Sequence, residues 1–260
     1  MRLGFRSRNY FALTLILISV FFLTLDAKAE PTPVLTDVLW KSERLVFEIS
    51  WFKMKGGTAV LEVSEGAELN GRKVHQISAV TNSNSFVDKF HKVRDRVDSF
   101  VYADNLSSAG FKVHQEEGSY RRDKEISFDY TKGTATYTVG KESSYYPIPF
   151  FVQDALSSLY FLRTRELVIG NPVIIDVFED KKLWQVEVQV LGRERISTPA
   201  GEFDTVLIKP LLKFEGIFQR KGELYVWLTD DNRKMPVRMK SKIKIGSVFA
   251  DLLEYKNSGQ

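Results

Sequence analysis

Polar and apolar residues alternate with a period of two along most of the chain. Leu45, Phe47, Ile49 and Trp51 fall on one side, with Arg44, Glu48 and Ser50 on the other. Such alternation marks a strand with one buried face. Gly56-Gly57 punctuates this run, and Ala59, Leu61 and Val63 resume it, which predicts a strand–turn–strand unit. A third strand is expected over 74–81, after the Asn70-Gly71 turn. Residues 97–102 and 110–115 read the same way. Ile126, Phe128 and Tyr130 alternate into Thr131-Lys132-Gly133, and Ala135, Tyr137 and Val139 alternate away from it, a second hairpin. Strand character returns over 173–178, 183–190, 205–212, 222–229, 237–245 and 248–253. The turns between are Glu179 to Lys182, Ser197 to Gly201, Asp230-Asp231-Asn232 and Gly246.

Two segments break this rhythm. Phe86, Phe90 and Val93 have helical spacing, enough for one or two turns. Residues 152–164 carry a wide apolar stripe of Ala155, Leu156, Leu159, Tyr160 and Leu162, with Asp154 near the start and Gly170-Asn171-Pro172 beyond the end. About eleven or twelve short strands around one principal helix predict a mainly β fold. The expectation is one large curved antiparallel sheet, an open or partly closed barrel, with a central α-helix packed on its concave face. A division near Tyr146–Pro149 lacks a low-complexity linker, so residues 41–256 are read as a single domain.

The N-terminus has a different character. Arg2, Arg6 and Arg8 precede an apolar run over 11–25, and Asp26-Ala27-Lys28-Ala29 follows with small residues at −3 and −1. This is the layout of a cleavable export signal, 1–29, cut after Ala29; an uncleaved anchor is the alternative. Residues 30–40 form a Pro-bearing arm and 257–260 a tail. Export changes the charge argument. The full chain has 37 Lys+Arg, 33 Asp+Glu and a net charge of +4, whereas residues 30–260 hold 33 bases against 32 acids, a net of +1. The basic excess belongs to the leader, so a nucleic-acid partner loses its electrostatic footprint. The expected localisation is the periplasm, with no membrane span in the mature chain.

Composition narrows the chemistry. No Cys excludes disulfides, thiolate metal sites, a cysteine nucleophile and a lipid-modified N-terminal Cys. The motifs GxSxG, HExxH, GxxxxGK[ST] and GxGxxG are absent. His75, His91 and His114 lack metal-pair spacing. Asp230-Asp231-Asn232 fails the calcium-loop pattern and suits a turn. Glu116-Glu117 with Asp154 would permit two-carboxylate chemistry only if the fold joined them. No catalytic residue, metal or cofactor is assigned. The distinctive feature is aromatic content: Trp51, Trp184 and Trp227 all lie in strand-like segments. Aromatics on the inner side of a curved sheet pack a core or line an apolar cavity.

Three segments carry a resemblance. Residues 50–59 (SWFKMKGGTA), 154–163 (DALSSLYFLR) and 197–205 (STPAGEFDT) resemble the signatures of a family of exported bacterial proteins catalogued as a domain of unknown function. The resemblance spans about residues 40–255 and implies a periplasmic, mainly β protein, with no established activity to carry over. In outline the fold is also similar to periplasmic lipoprotein carriers. The expected function is therefore non-enzymatic: binding a lipid or other hydrophobic small molecule in the hollow of the sheet. Candidate liners are Phe47, Trp51, Phe90, Leu159, Tyr160, Trp184 and Trp227. Two other readings stay open: an assembly factor contacting envelope proteins, and a hydrolase of envelope glycans or esters.

Overall fold

Among the described residues the alternating pattern is realised as fourteen antiparallel strands in one sheet. The computed structural model describes residues 42–69, 71–211, 223–242 and 245–256, all within one compact unit, Val34–Gln260. The expected export signal, the arm and the tail lie outside the described residues. In chain order the first half comprises β1 (Arg44–Trp51), β2 (Met54–Leu69), β3 (Arg72–Ser83), α1 (Asp88–His91), β4 (Arg94–Tyr102), β5 (Ser108–Glu117), β6 (Tyr120–Asp129), β7 (Thr134–Val139) and β8 (Glu142–Pro147). The second half comprises α2 (Ser157–Arg163), β9 (Val173–Glu179), β10 (Lys182–Thr198), β11 (Gly201–Pro210), β12 (Leu224–Thr229), β13 (Pro236–Lys242) and β14 (Ser247–Lys256).

Each half is a meander, and β1 pairs with β14 to join them, so the edges are β8 and β9. Hydrogen bonds do not close the sheet, but it curls until side chains from its two ends meet. Phe178 on β9 lies 5.8 Å from Tyr146 on β8 and 6.0 Å from Phe128 on β6, ring centre to ring centre. The segment before α2 sits on the β9 edge. Gln153 N donates to Asp176 O at 2.9 Å and Phe178 N donates to Gln153 O at 2.8 Å. That covers backbone groups which an edge strand would otherwise expose.

Three sequence expectations need correction. The first turn is not at Gly56-Gly57. It is the pair Phe52-Lys53, with φ of 47° and 63°, the two positive angles that a tight hairpin matched to strand twist requires. The glycines lie inside β2, and Gly57 has a packing reason: a Cβ there would stand 2.2 Å from Asn82 O on β3. Second, β8 was not anticipated; its polar and aromatic sequence ESSYYP lacks an apolar alternation. Third, the principal helix starts at Ser157 rather than 152, because the backbone of Val152 and Gln153 pairs elsewhere. Ser108 N donates to Val152 O at 3.0 Å, and Gln153 is engaged with β9 as described. The turn expected over Ser197 to Gly201 is present, and Gly201 takes a positive φ of 131° there.

Candidate functional site

Helix α2 brings Ala155 and Leu156, just ahead of it, and its own Leu159 and Leu162 into contact with the apolar interior. Between this segment and β9–β13 lies an apolar cavity of about 70 Å³. Ala155, Ser158, Leu159 and Leu162 form one wall. Opposite stand Ile175 and Val177 of β9, Val186 and Val188 of β10, and Ile208 of β11. Pro210, Leu224, Val226 and Met239 complete it. Residues two apart on a strand share a face, so the alternation of β9, β10 and β12 delivers these aliphatic side chains inward. Val177, Val186, Val188, Ile208 and Val226 are buried, whereas Ser158, Leu159, Pro210, Leu224 and Met239 keep partial exposure and mark the mouth. Ser158 is the one hydroxyl among these walls.

Buried polar groups fix the wall. The Asp154 carboxylate accepts hydrogen bonds from Ser99 Oγ and Ser108 Oγ, both at 2.6 Å, and from the backbone N–H groups of Leu156 and Ser157 at 2.9 and 2.8 Å. Ser157 Oγ in turn accepts from Asp154 N at 2.9 Å. This reciprocal cap satisfies donors at the entry to α2 and ties it to β4 and β5. Burial raises the Asp154 pKa above the ordinary carboxylate value, and the Ser108, Ser157 and Ser99 hydrogen bonds oppose that shift.

At the other end of α2, Arg163 makes a two-point ion pair with Glu43, Nη1–Oε1 at 2.7 Å and Nη2–Oε2 at 2.6 Å. The side chains are 0% and 1% exposed. Arg163 Nε donates to Arg233 O at 3.1 Å, so one guanidinium joins the start of β1 to the β12–β13 turn. A second buried ion pair, Lys124–Glu179 at 2.5 Å, spans the gap between β6 and β9. Burial raises the Glu179 pKa and Lys124 opposes it.

Of the seven residues expected to line a cavity, Leu159 lines this one. Phe47 and Tyr160 are fully buried in the core, Tyr160 with its ring 4.9 Å from the Arg163 guanidinium carbon. Trp184 shares the inner face with Val186 and Val188, but its indole N–H donates to Glu179 O at 3.1 Å, beyond the cavity. Trp227 alternates with Val226, so it takes the outer face, where its indole donates to Glu194 at 2.6 Å. Trp51 and Phe90 are corrections: they are 39% and 79% exposed. Trp51 ends β1 at the rim of the sheet, where its indole N–H donates to Ile245 O at 2.9 Å, and α1 is too short to bury an apolar side. Strand alternation marked the aliphatic liners only as core. Nothing in a β-branched run distinguishes a filled interior from one with a void.

Other candidate chemistry is dispersed. His114 pairs with Asp123 at 2.7 Å on the surface, and His75 lies 3.9 Å from Glu65. Glu116 pairs with Lys92 and Arg121. It is eight residues along β5 from Ser108, the Asp154 partner, a separation of roughly 26 Å. The fold therefore does not join Glu116 to Asp154. The described residues contain no cluster of three or more His, Asp or Glu suited to a metal ion.

A family model described as a protein of unknown function, DUF3108, matches residues 46–253. A beta-barrel-like protein of the domain of unknown function DUF1849 from Brucella abortus is similar in structure, with a TM-score of 0.55 and 12% identity over 84% of this chain and 98% of that one. An exported protein with a YmcC-like fold from Bacteroides fragilis, provisionally so described, gives a TM-score of 0.34 and 12% identity over 85% and 98%. No curated protein matches the chain significantly. The Brucella likeness supports the fold alone.

Proposed function

The chain belongs to the DUF3108 family of unknown function, and we propose that it is a periplasmic, non-enzymatic protein that binds a lipid-like ligand in the cavity between α2 and β9–β13. The observation that carries this reading is the cavity wall itself. Twelve of its thirteen residues are apolar, and no charged side chain is among them. Aliphatic walls of this kind hold water poorly and accept hydrocarbon. Each buried methylene contributes about 0.8 kcal/mol, so the roughly three carbons of an acyl chain that about 70 Å³ accommodates contribute about 2.4 kcal/mol before the entropy of association is subtracted. A polar head would stay at the mouth, near Ser158. The compartment rests on the leader-like residues 1–29; among the described residues no helix is long and apolar enough to cross a membrane.

The test is displacement of a fluorescent fatty-acid probe from the purified chain, with Leu159→Trp as the blocking variant. Trp at this half-buried wall position fills the cavity while leaving the caps of α2 intact. The expected result is saturable binding that weakens at least tenfold in L159W, with unchanged far-UV circular dichroism. Absence of saturable binding, or equal binding by L159W, refutes the proposal.

A further inference from the structure

One end of the sheet carries a cluster of exposed apolar side chains. Strand register places Leu224 opposite Ser241, Ser241 opposite Val248, Val248 opposite Trp51 and Trp51 opposite Met54. The cavity mouth at Leu224, the β13–β14 connection and the β1–β2 turn therefore stand in one row. Helix α1 joins the same end, because Asn84 N donates to Gly56 O at 2.8 Å and Asn84 Nδ2 donates to Lys55 O at 2.6 Å. The buried Glu43–Arg163 pair lies at the opposite end, beside the start of β1.

Six large apolar side chains are exposed along this row and the adjoining α1: Trp51, Phe52, Met54, Phe86, Phe90 and Ile245, the last five between 52% and 79% exposed. They come from three connections yet support one another. Trp51 and Phe52 are 4.8 Å apart, Phe86 and Phe90 are 5.7 Å apart, Trp51 Nε1 donates to Ile245 O at 2.9 Å, and the Phe52 ring lies over Gly246. Folding has thus fixed these side chains outward rather than leaving them on loose loops. Exposed apolar surface held in this way marks an interaction site.

The charges between them identify the partner. Segments 51–57 and 84–93 contain Lys53, Lys55, Lys89 and Lys92 against one acid, Asp88. Asp88 is consumed by Arg94, with Nη2–Oδ2 at 2.6 Å, and Lys55 and Lys92 pair with Glu48 and Glu116. Lys53 and Lys89 have no carboxylate partner among the described residues. Trp and Phe interleaved with Lys is the composition that settles at the boundary of an anionic bilayer: rings enter the headgroup–acyl region and ammonium groups remain with lipid phosphates.

We propose that this end docks the protein on an anionic lipid bilayer, with Phe52 and Phe90 as the inserting side chains. The docking stands on the exposed rim and does not require the cavity to bind anything. If both readings hold, the mouth would face the surface from which a lipid leaves or to which it is delivered.

The test uses the whole purified chain with vesicles of brominated phosphatidylethanolamine and phosphatidylglycerol, and with phosphatidylcholine vesicles as the uncharged control. The readout is the quenching assignable to Trp51, obtained by subtracting the signal of Trp51→Phe. Quenching should appear on anionic vesicles, fall at least threefold on phosphatidylcholine, and fall at least fivefold in Phe52→Ser/Phe90→Ser. Residues 1–29 are present in every chain compared, so docking by the apolar run 11–25 alone would quench Trp51 equally in the parent and the double variant, an outcome that counts against the proposal. Both serine replacements are at exposed positions, and a shared melting temperature confirms that the fold is retained. No Trp51 quenching, undiminished quenching in the double variant, or a dimer in light scattering that the double variant dissolves would overturn the proposal. The fatty-acid displacement assay needs no vesicles, so failure of one reading is separable from failure of the other.

Discussion

Removing one partner of the Glu43–Arg163 pair tests whether α2 is held as a fixed wall. Both groups are out of water, and the two bonds of 2.7 and 2.6 Å are each group's main compensation for lost hydration. Arg163→Met keeps the aliphatic stem and leaves a buried carboxylate with nothing of opposite charge. Breaking a fully buried pair in this way costs about 3–5 kcal/mol. With a urea m-value of about 3 kcal/mol/M for a domain of this size, a 4 kcal/mol loss moves the midpoint down by about 1.3 M. Glu43→Leu should cost a similar amount, since it strands the guanidinium. The double variant, Glu43→Leu with Arg163→Met, is the informative arm. It removes both desolvation penalties and should lie within about 1–2 kcal/mol of the parent, the residual including the lost hydrogen bond to Arg233 O. Urea unfolding followed by tryptophan fluorescence completes the cycle. A loss below about 1 kcal/mol in R163M, or a double variant whose loss equals the sum of the singles, would show that the pair does not anchor the helix.

Other outcomes follow from single features. Gly57→Ala pushes a methyl group against Asn82 O, where the spacing would be 2.2 Å; the strands must part, at a cost of about 3 kcal/mol, seen as a melting temperature roughly 6–12 °C lower. Asp154→Ala strands two serine hydroxyls and two backbone N–H groups and should cost about 4 kcal/mol, whereas Asp154→Asn keeps an acceptor for the amides and should cost less than half of that. Equal losses in chemical unfolding would contradict the capping role. Glu223 is held near a pKa of about 2, against an ordinary 4.5, by Lys209, Lys242 and Tyr225. A depressed carboxylate contributes stability that is complete above its unfolded pKa and disappears as pH falls toward its folded one. The melting-temperature gap between the parent and Glu223→Gln should therefore be constant above pH 5 and shrink between about pH 4.5 and 2; a gap independent of pH would refute that assignment.

The sequence by itself determined the sheet. Alternation in segments such as 45–51 and 126–139 can be satisfied only by strands with one wet face, and the Ser197 to Gly201 motif marked a turn. It located the principal helix but set its start five residues early, because periodicity cannot show that Val152 and Gln153 give their backbone groups to β5 and β9. It also placed the first turn at two glycines. Gly57 is required by the close approach of Asn82 in the neighbouring strand, a contact between residues 25 positions apart.

The candidate site was less legible. Aromatic residues drew attention as cavity liners, yet Trp51 and Phe90 are exposed, Trp227 is on the outer face and the cavity wall is aliphatic. Local pattern fixes which side of a strand a residue takes. Whether that side is filled, hollow or wet depends on how fourteen strands curl and where one helix is pinned. Those distances are set by Asp154, Arg163 and Glu43, whose partners lie 46 to 120 residues away in the chain. The tertiary structure alone decided them, because buried polar groups take whichever partners the whole fold brings within reach, and no short-range regularity records that choice.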